Sequence, residues 1–134
     1  MIVVDANILI YSLIESDYTP LVNQLRAKDA DWRTTTLCLH EVVNVLATYQ
    51  RRGIITLAQC RELLAYTESF IEVAQCEVNM DTALVVAAEY AVTGYDAQYV
   101  ALTKSLNAPL ITEDRKLRQA VSGIAFSIQE FLER

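Results

Sequence analysis

Histidine, cysteine, glycine and proline are all scarce in this chain: one His, three Cys, three Gly and two Pro among 134 residues. The lone histidine, His40, excludes ribonuclease chemistry that uses a histidine pair as acid and base. Cys38, Cys60 and Cys76 are odd in number and have no C-x-x-C spacing. That excludes a disulfide framework and a zinc knuckle, and the three read as small buried hydrophobes. A G-x-x-x-x-G-K loop is absent, so nucleoside triphosphate hydrolysis of that class is out. No apolar run approaches the ~18 residues of a membrane span, and Met1-Ile2-Val3-Val4-Asp5 lacks the basic start of a secretory signal. A cytoplasmic protein with no membrane contact is the expectation. Basic charge is also short: 17 acidic residues face 11 basic ones, for a net charge of −6. That argues against a generic nucleic-acid binder and is compatible with an enzyme that holds divalent cations on carboxylates.

What the chain has is apolar sequence, 53% hydrophobic, at a length that one core serves comfortably. A single domain over residues 1–134 is expected. Gly53, Gly94 and Gly123 each follow a helix-like stretch, where a left-handed closing residue belongs. Thr19-Pro20 reads as an N-cap with Pro at the first helical position. Thr56–Gln59 and Ser127–Glu130 fit the capping box. Helical apolar spacing runs through Leu39, Val42, Val43, Leu46 and through Leu57, Cys60, Leu63, Leu64, with a further helix over Asp81–Thr93. Ile2–Val4 is the clearest strand; Thr34–Leu37, Ile71–Val73, Leu110–Thr112 and Ala125–Ile128 are weaker ones. The alternation predicts an α/β fold with a mostly parallel central sheet and helices on both faces.

Ligands of such sheets bind beyond the carboxyl ends of the strands, and four acids stand at those places. Asp5 ends the first strand and opens the helix Ala6–Ile14. Glu41 falls in the first turn of the helix after Thr34–Leu37. Asp96 starts the helix Ala97–Leu106, and Asp114 follows Leu110-Ile111-Thr112. Each has an ordinary reading as a helix cap or dipole partner. Jointly, carboxylates after separate strands would converge on one edge of the sheet and repel, and bound cations offset that repulsion. Oxygen donors alone suit Mg²⁺ or Mn²⁺. A carboxylate cage for metal-activated water attacking a phosphodiester is the chemistry left open.

Four motifs carry a resemblance to the PIN domain family, most closely to its VapC-type ribonuclease toxins. Val3-Val4-Asp5-Ala6-Asn7 resembles the opening hydrophobic-Asp-x-Asn element, and Leu39-His40-Glu41-Val42-Val43 the helical Glu. Tyr95-Asp96-Ala97-Gln98-Tyr99 resembles the third-acid helix, and Thr112-Glu113-Asp114 the late T-x-D element. The resemblance implies a three-layer α/β/α sandwich and a Mg²⁺- or Mn²⁺-dependent endoribonuclease. It implies that Asp5, Asp96 and Asp114 hold the metal, that Glu41 completes the acidic quartet, and that Asn7 and Thr112 position carboxylates or water. Its partners would be an RNA substrate, a cognate antitoxin and a second copy in a homodimer. A housekeeping PIN nuclease and a non-catalytic PIN-like module are the alternatives.

Ala6 departs from the Thr or Ser common in the family, and Glu113 adds an acid that reads as solvent-facing. Arg115, Lys116 and Arg118 are candidates for RNA phosphate contact. Arg51-Arg52 answer a helix C-terminus, His40 reads as a surface or packing residue, and Tyr95 reads as core with base stacking as the alternative. A phospho-acceptor receiver domain fits poorly, because Asp5 stands alone and no Lys follows Lys116. A haloacid-dehalogenase-type phosphatase needs D-x-D where this chain has Asp5-Ala6-Asn7.

Overall fold

Ile2, Val3 and Val4 form strand β1 (Ile2–Val4), since an apolar, β-branched triplet suits a strand covered on both faces. In the computed structural model, which describes residues 1–134, all three are fully buried. β1 pairs with β2 (Trp32–Arg33) on one side and β3 (Leu110–Ile111) on the other; β3 then pairs with β4 (Ala125–Phe126). Every pairing is parallel, with Val3 opposite both Arg33 and Leu110 and Ile111 opposite Phe126. The sheet is therefore wholly rather than mostly parallel.

The pleat sends alternate residues to opposite faces and so builds two cores. Val3, Leu110 and Ala125 enter the larger one, against Val42 of α3 (Leu37–Arg51), Ile71 of α4 (Leu57–Ala74), Val86 of α5 (Met80–Tyr90) and Val100 of α6 (Gly94–Leu106). Ile2, Val4 and Ile111 enter the smaller one, against Val22 and Leu25 of α2 (Thr19–Lys28) and Ile128 and Phe131 of α8 (Ile128–Leu132). Helix α1 (Ala6–Leu13) feeds both, through Leu9 and Ile8, and α7 (Arg115–Ala120) adds Leu117 to the larger. The result is the three-layer α/β/α sandwich. Each buried Val, Leu or Ile contributes roughly 1.5–3 kcal/mol.

Several local expectations need correction. The strand expected over Thr34–Leu37 lies earlier, at Trp32–Arg33. Thr34 makes only an isolated bridge to Gln75, its hydroxyl donates to Val4 O at 2.9 Å, and Thr35 Oγ1 accepts from Leu37 N–H as α3 begins. Thr34 and Thr35 imitate a strand, while their hydroxyls bind Val4 O and the first amide of α3 instead. Ile71–Val73 is not a strand but the end of α4. There Ile71 and Ala74 continue the buried stripe of Cys60 and Thr67, and Val73 faces solvent. Packing along a long, box-capped helix overrides the β-propensity of three residues.

Gly53 and Gly123 hold the left-handed conformation, at φ 70° and 85°. Gly94 does not: it opens α6, with Thr93 as N-cap, and α5 closes on left-handed Ala91 instead. Both capping boxes form. The second ends β4 at Phe126, so Ala125–Ile128 is not one strand. Helix α2 starts at Thr19 rather than after it, with Tyr18 in the cap position.

Sheet order places the site. From β1 the chain runs to β2 on one side, and it later returns to β3 on the other. The crevice beyond the carboxyl ends of β1 and β3 is thus a topological switch point.

Candidate active site

Asp5 leaves β1 as the N-cap of α1, its Oδ1 accepting from Ile8 N–H at 3.2 Å. Asp114 leaves β3 as the N-cap of α7, its Oδ1 accepting from Leu117 N–H at 3.0 Å. Capping and facing the crevice are therefore one arrangement, not rival roles. Asp96 is different. Thr93 caps α6, and Asp96 sits in the first turn with its N–H donating to Thr93 Oγ1. Glu41 lies in the second turn of α3, not the first, since α3 begins at Leu37.

These four carboxylates, with Asn7, line one cavity of about 520 Å³. Thr112 stands behind it, fully buried. Its hydroxyl donates to Asp5 Oδ2 at 2.5 Å, and its Oγ1 accepts from Asp114 N–H at 3.1 Å. One side chain thus ties the residue after β1 to the loop after β3.

Arg115, Lys116 and Arg118 do not line the cavity. Arg115 and Lys116 are exposed, while Arg118 Nη1 donates to Thr112 O at 3.0 Å. Glu113 is not solvent-facing: its Oε1 accepts from Ile128 N–H, docking α8 onto the loop after β3. His40 and Asn44 are exposed on the cavity wall. Tyr95 also lines the cavity at 66% exposure, which overturns its reading as a core residue. Its place at N2 of α6 turns it away from the packed face.

Sequence reasoning missed Tyr99, whose hydroxyl donates to Glu41 Oε1 at 2.5 Å. The available signal was its spacing: three residues after Asp96, it shares a helix face with that acid. Thr93 was missed as well, although T-x-x-D before an apolar helix is a capping pattern.

No cation of the protein answers this charge. The chain's ion pairs join the Met1 amino group to Asp29, Arg33 to Asp31 and Lys104 to Glu89. None reaches the four acids. Burial pushes the Asp5 carboxyl up to about 6, and the charges of Glu41 and Asp96 add to it, against the Thr112 and Ile8 hydrogen bonds. Glu41 is raised by burial and by Asp96, with Tyr99 opposing. Asp96 is raised by burial and then by Asp114. The acids feel one another.

Hard oxygen donors in a negative, cation-poor crevice fit Mg²⁺ or Mn²⁺. No three of the His, Cys, Asp and Glu side chains stand together as a ready-made cage. Mg²⁺ needs none, because it keeps several waters and takes one or two carboxylates directly.

The sequence pattern of the PIN domain matches residues 2–122. This chain belongs to the PIN domain family. The PIN domain match spans β1 through α7 and so takes in all four acids. Ribonuclease VapC3 of Pyrobaculum aerophilum is 28% identical over 122 residues, covering 88% of this chain and 92% of that protein. The crystal structure of PAE2754 from Pyrobaculum aerophilum superposes with a TM-score of 0.75 at 26% identity, over 98% of this chain and 93% of that one. That superposition extends the shared fold over β4 and α8, beyond the matched pattern. No helix is long and apolar enough to cross a membrane.

Proposed function

We propose that residues 1–134 act as one PIN nuclease domain, a Mg²⁺- or Mn²⁺-dependent endoribonuclease working in the cytoplasm as the toxin of a toxin–antitoxin pair. The observation that carries this reading is the convergence of Asp5, Glu41, Asp96 and Asp114 from four segments on one cavity that no cation of the chain neutralises. The likeness to Ribonuclease VapC3 supports the ribonuclease part, and the toxin part rests on the VapC-type motifs of the sequence.

Asp5, Asp96 and Asp114 would hold a hydrated divalent ion, one or two of them directly and the rest through its waters. A divalent ion there would supply Lewis-acid polarisation of a phosphoryl oxygen and a more acidic water. Thr112 holds Asp5 in place through its short hydrogen bond. Asn7, at the rim, positions a carboxylate or the attacking water. Glu41 would take that water's proton on Oε2, the oxygen Tyr99 leaves free, and burial raises its carboxyl above the usual range, which makes it the stronger base. Arg115 and Lys116, exposed beside Asp114, meet the RNA backbone. Arg118, held on Thr112 O, serves the loop first.

Purified protein with single-stranded RNA and Mn²⁺ is expected to yield 5′-phosphate and 3′-hydroxyl fragments, and EDTA in excess is expected to stop the reaction. Cleavage that continues in EDTA would remove the metal-dependent mechanism.

An exposed apolar groove supports the dimer part of this reading. Met80 and Leu84, one turn apart on α5, are 58% and 70% exposed and border an apolar groove with Tyr95. A second copy covers this face in the proposed homodimer, and a cognate antitoxin masks the acidic cavity. Light scattering at micromolar concentration is expected to give twice the chain mass, falling to the chain mass in Leu84→Glu. A wild-type monomer would contradict the dimer.

A further inference from the structure

The Glu41 carboxylate draws no hydrogen bond from its own helix. Asp5 and Asp114 are short side chains pinned by the amides of α1 and α7. Glu41 has an extra rotatable bond, sits beyond the free amides of α3, and joins no ion pair. A single hydrogen bond reaches its side chain, from Tyr99 on α6, 58 residues away in the chain. The Tyr99 ring is 2% exposed within the larger core, so packing fixes where its hydroxyl lies. Burial also holds the phenol well above its usual pKa, which keeps it a donor.

We propose that Tyr99 is a positioning residue for Glu41: its buried hydroxyl clamps Glu41 Oε1 and leaves Oε2 free for the reaction. Helix α6 thereby sets two of the four acids, Asp96 directly and Glu41 across the cavity floor. The inference rests on the nuclease reading of the cavity.

The test compares wild type, Tyr99→Phe, Glu41→Gln and the double variant. Phe keeps the ring and its packing, so Tyr99→Phe is expected to melt within a few degrees of wild type. Its kcat/KM on RNA is expected to fall about 10- to 100-fold, as when an outer partner of a metal-site group is lost, with the loss in kcat. In the Glu41→Gln background the same change is expected to add nothing, because the pair acts as a unit. A crystal structure of Tyr99→Phe is expected to show Glu41 displaced or in more than one rotamer. Three results would each overturn the clamp: wild-type kcat in Tyr99→Phe with Glu41→Gln inactive, an equal further loss in both backgrounds, or an unmoved Glu41. If the wild type cleaves no RNA, the nuclease reading fails, while the Glu41 rotamer still decides the clamp.

Discussion

Replacing Asp5 by Asn is expected to lower RNA cleavage by roughly 10³-fold, about 4 kcal/mol of transition-state stabilisation, while the protein stays folded. Asn caps a helix about as well as Asp, so Ile8 N–H keeps its acceptor. What disappears is the negative charge at the end of β1, the best-held anion of the cavity. Thr112 provides an internal control on stability. With an amide at position 5, its hydroxyl loses an acceptor, which costs about 1 kcal/mol. Removing a half-buried carboxylate that its surroundings push up to about 6 works in the opposite direction. Near-wild-type melting with lost cleavage is the expected pair of results, read by circular dichroism and a gel assay in Mn²⁺. Cleavage within tenfold of wild type would show that Asp5 is a cap alone.

The metal-free protein is expected to lose stability as pH rises from about 4.5 to 7. Asp5, Glu41 and Asp96 all have folded-state pKa values above their ordinary ones. A raised carboxyl contributes stability that is fully present below its unfolded pKa and lost as pH climbs through the folded one. For Asp5, moved from 3.8 to about 6, the loss is roughly 3 kcal/mol. Asp96→Asn removes one of the mutually repelling charges and leaves the Thr93 cap of α6 intact. In EDTA at pH 7 it is therefore expected to melt above wild type, by a few degrees. Divalent metal is expected to reverse the order. At a hundred times its dissociation constant a ligand adds about 2.7 kcal/mol, on the order of 10 °C for a domain of this size, and the variant lacks a donor. Thermal melts from pH 4.5 to 7.5 check the trend. A flat profile for metal-free wild type would contradict the account of the charges.

The acids were legible because each lies next to a strong local signal. Asp5 follows an apolar triplet, Asp114 follows Leu110-Ile111-Thr112, and Asp96 lies in the first turn of α6, just ahead of its apolar stretch. Two-faced burial of β1 and β3 leaves a clear apolar mark in the sequence, and the parallel sheet follows from the alternation. Less legible were features decided by partners far along the chain. Ile71–Val73 is strand-like in isolation, yet α4 runs through it because Ile71 and Ala74 complete a stripe begun at Cys60. Thr34 and Thr35 look β-prone until their hydroxyls find Val4 O and Leu37 N–H. Tyr99 is an apolar helix residue by spacing, and only the approach of α3 to α6 gives its hydroxyl to Glu41. Tyr95 failed for the opposite reason. Its aromatic ring suggested the core, but its position in the first turn of α6 leaves it at the mouth of the cavity.

The central claim is that acids from separate segments form one cation site, and the Mn²⁺-induced shift in melting temperature at pH 7 tests it most directly. Wild type, Asp5→Asn, Asp96→Asn and Asp114→Asn are compared in EDTA and in saturating Mn²⁺, all three variants keeping their helix caps. A large upward shift for wild type, with much smaller shifts for each of the three variants, is the predicted result. Equal shifts in all four proteins would mean that the carboxylates do not act as one site.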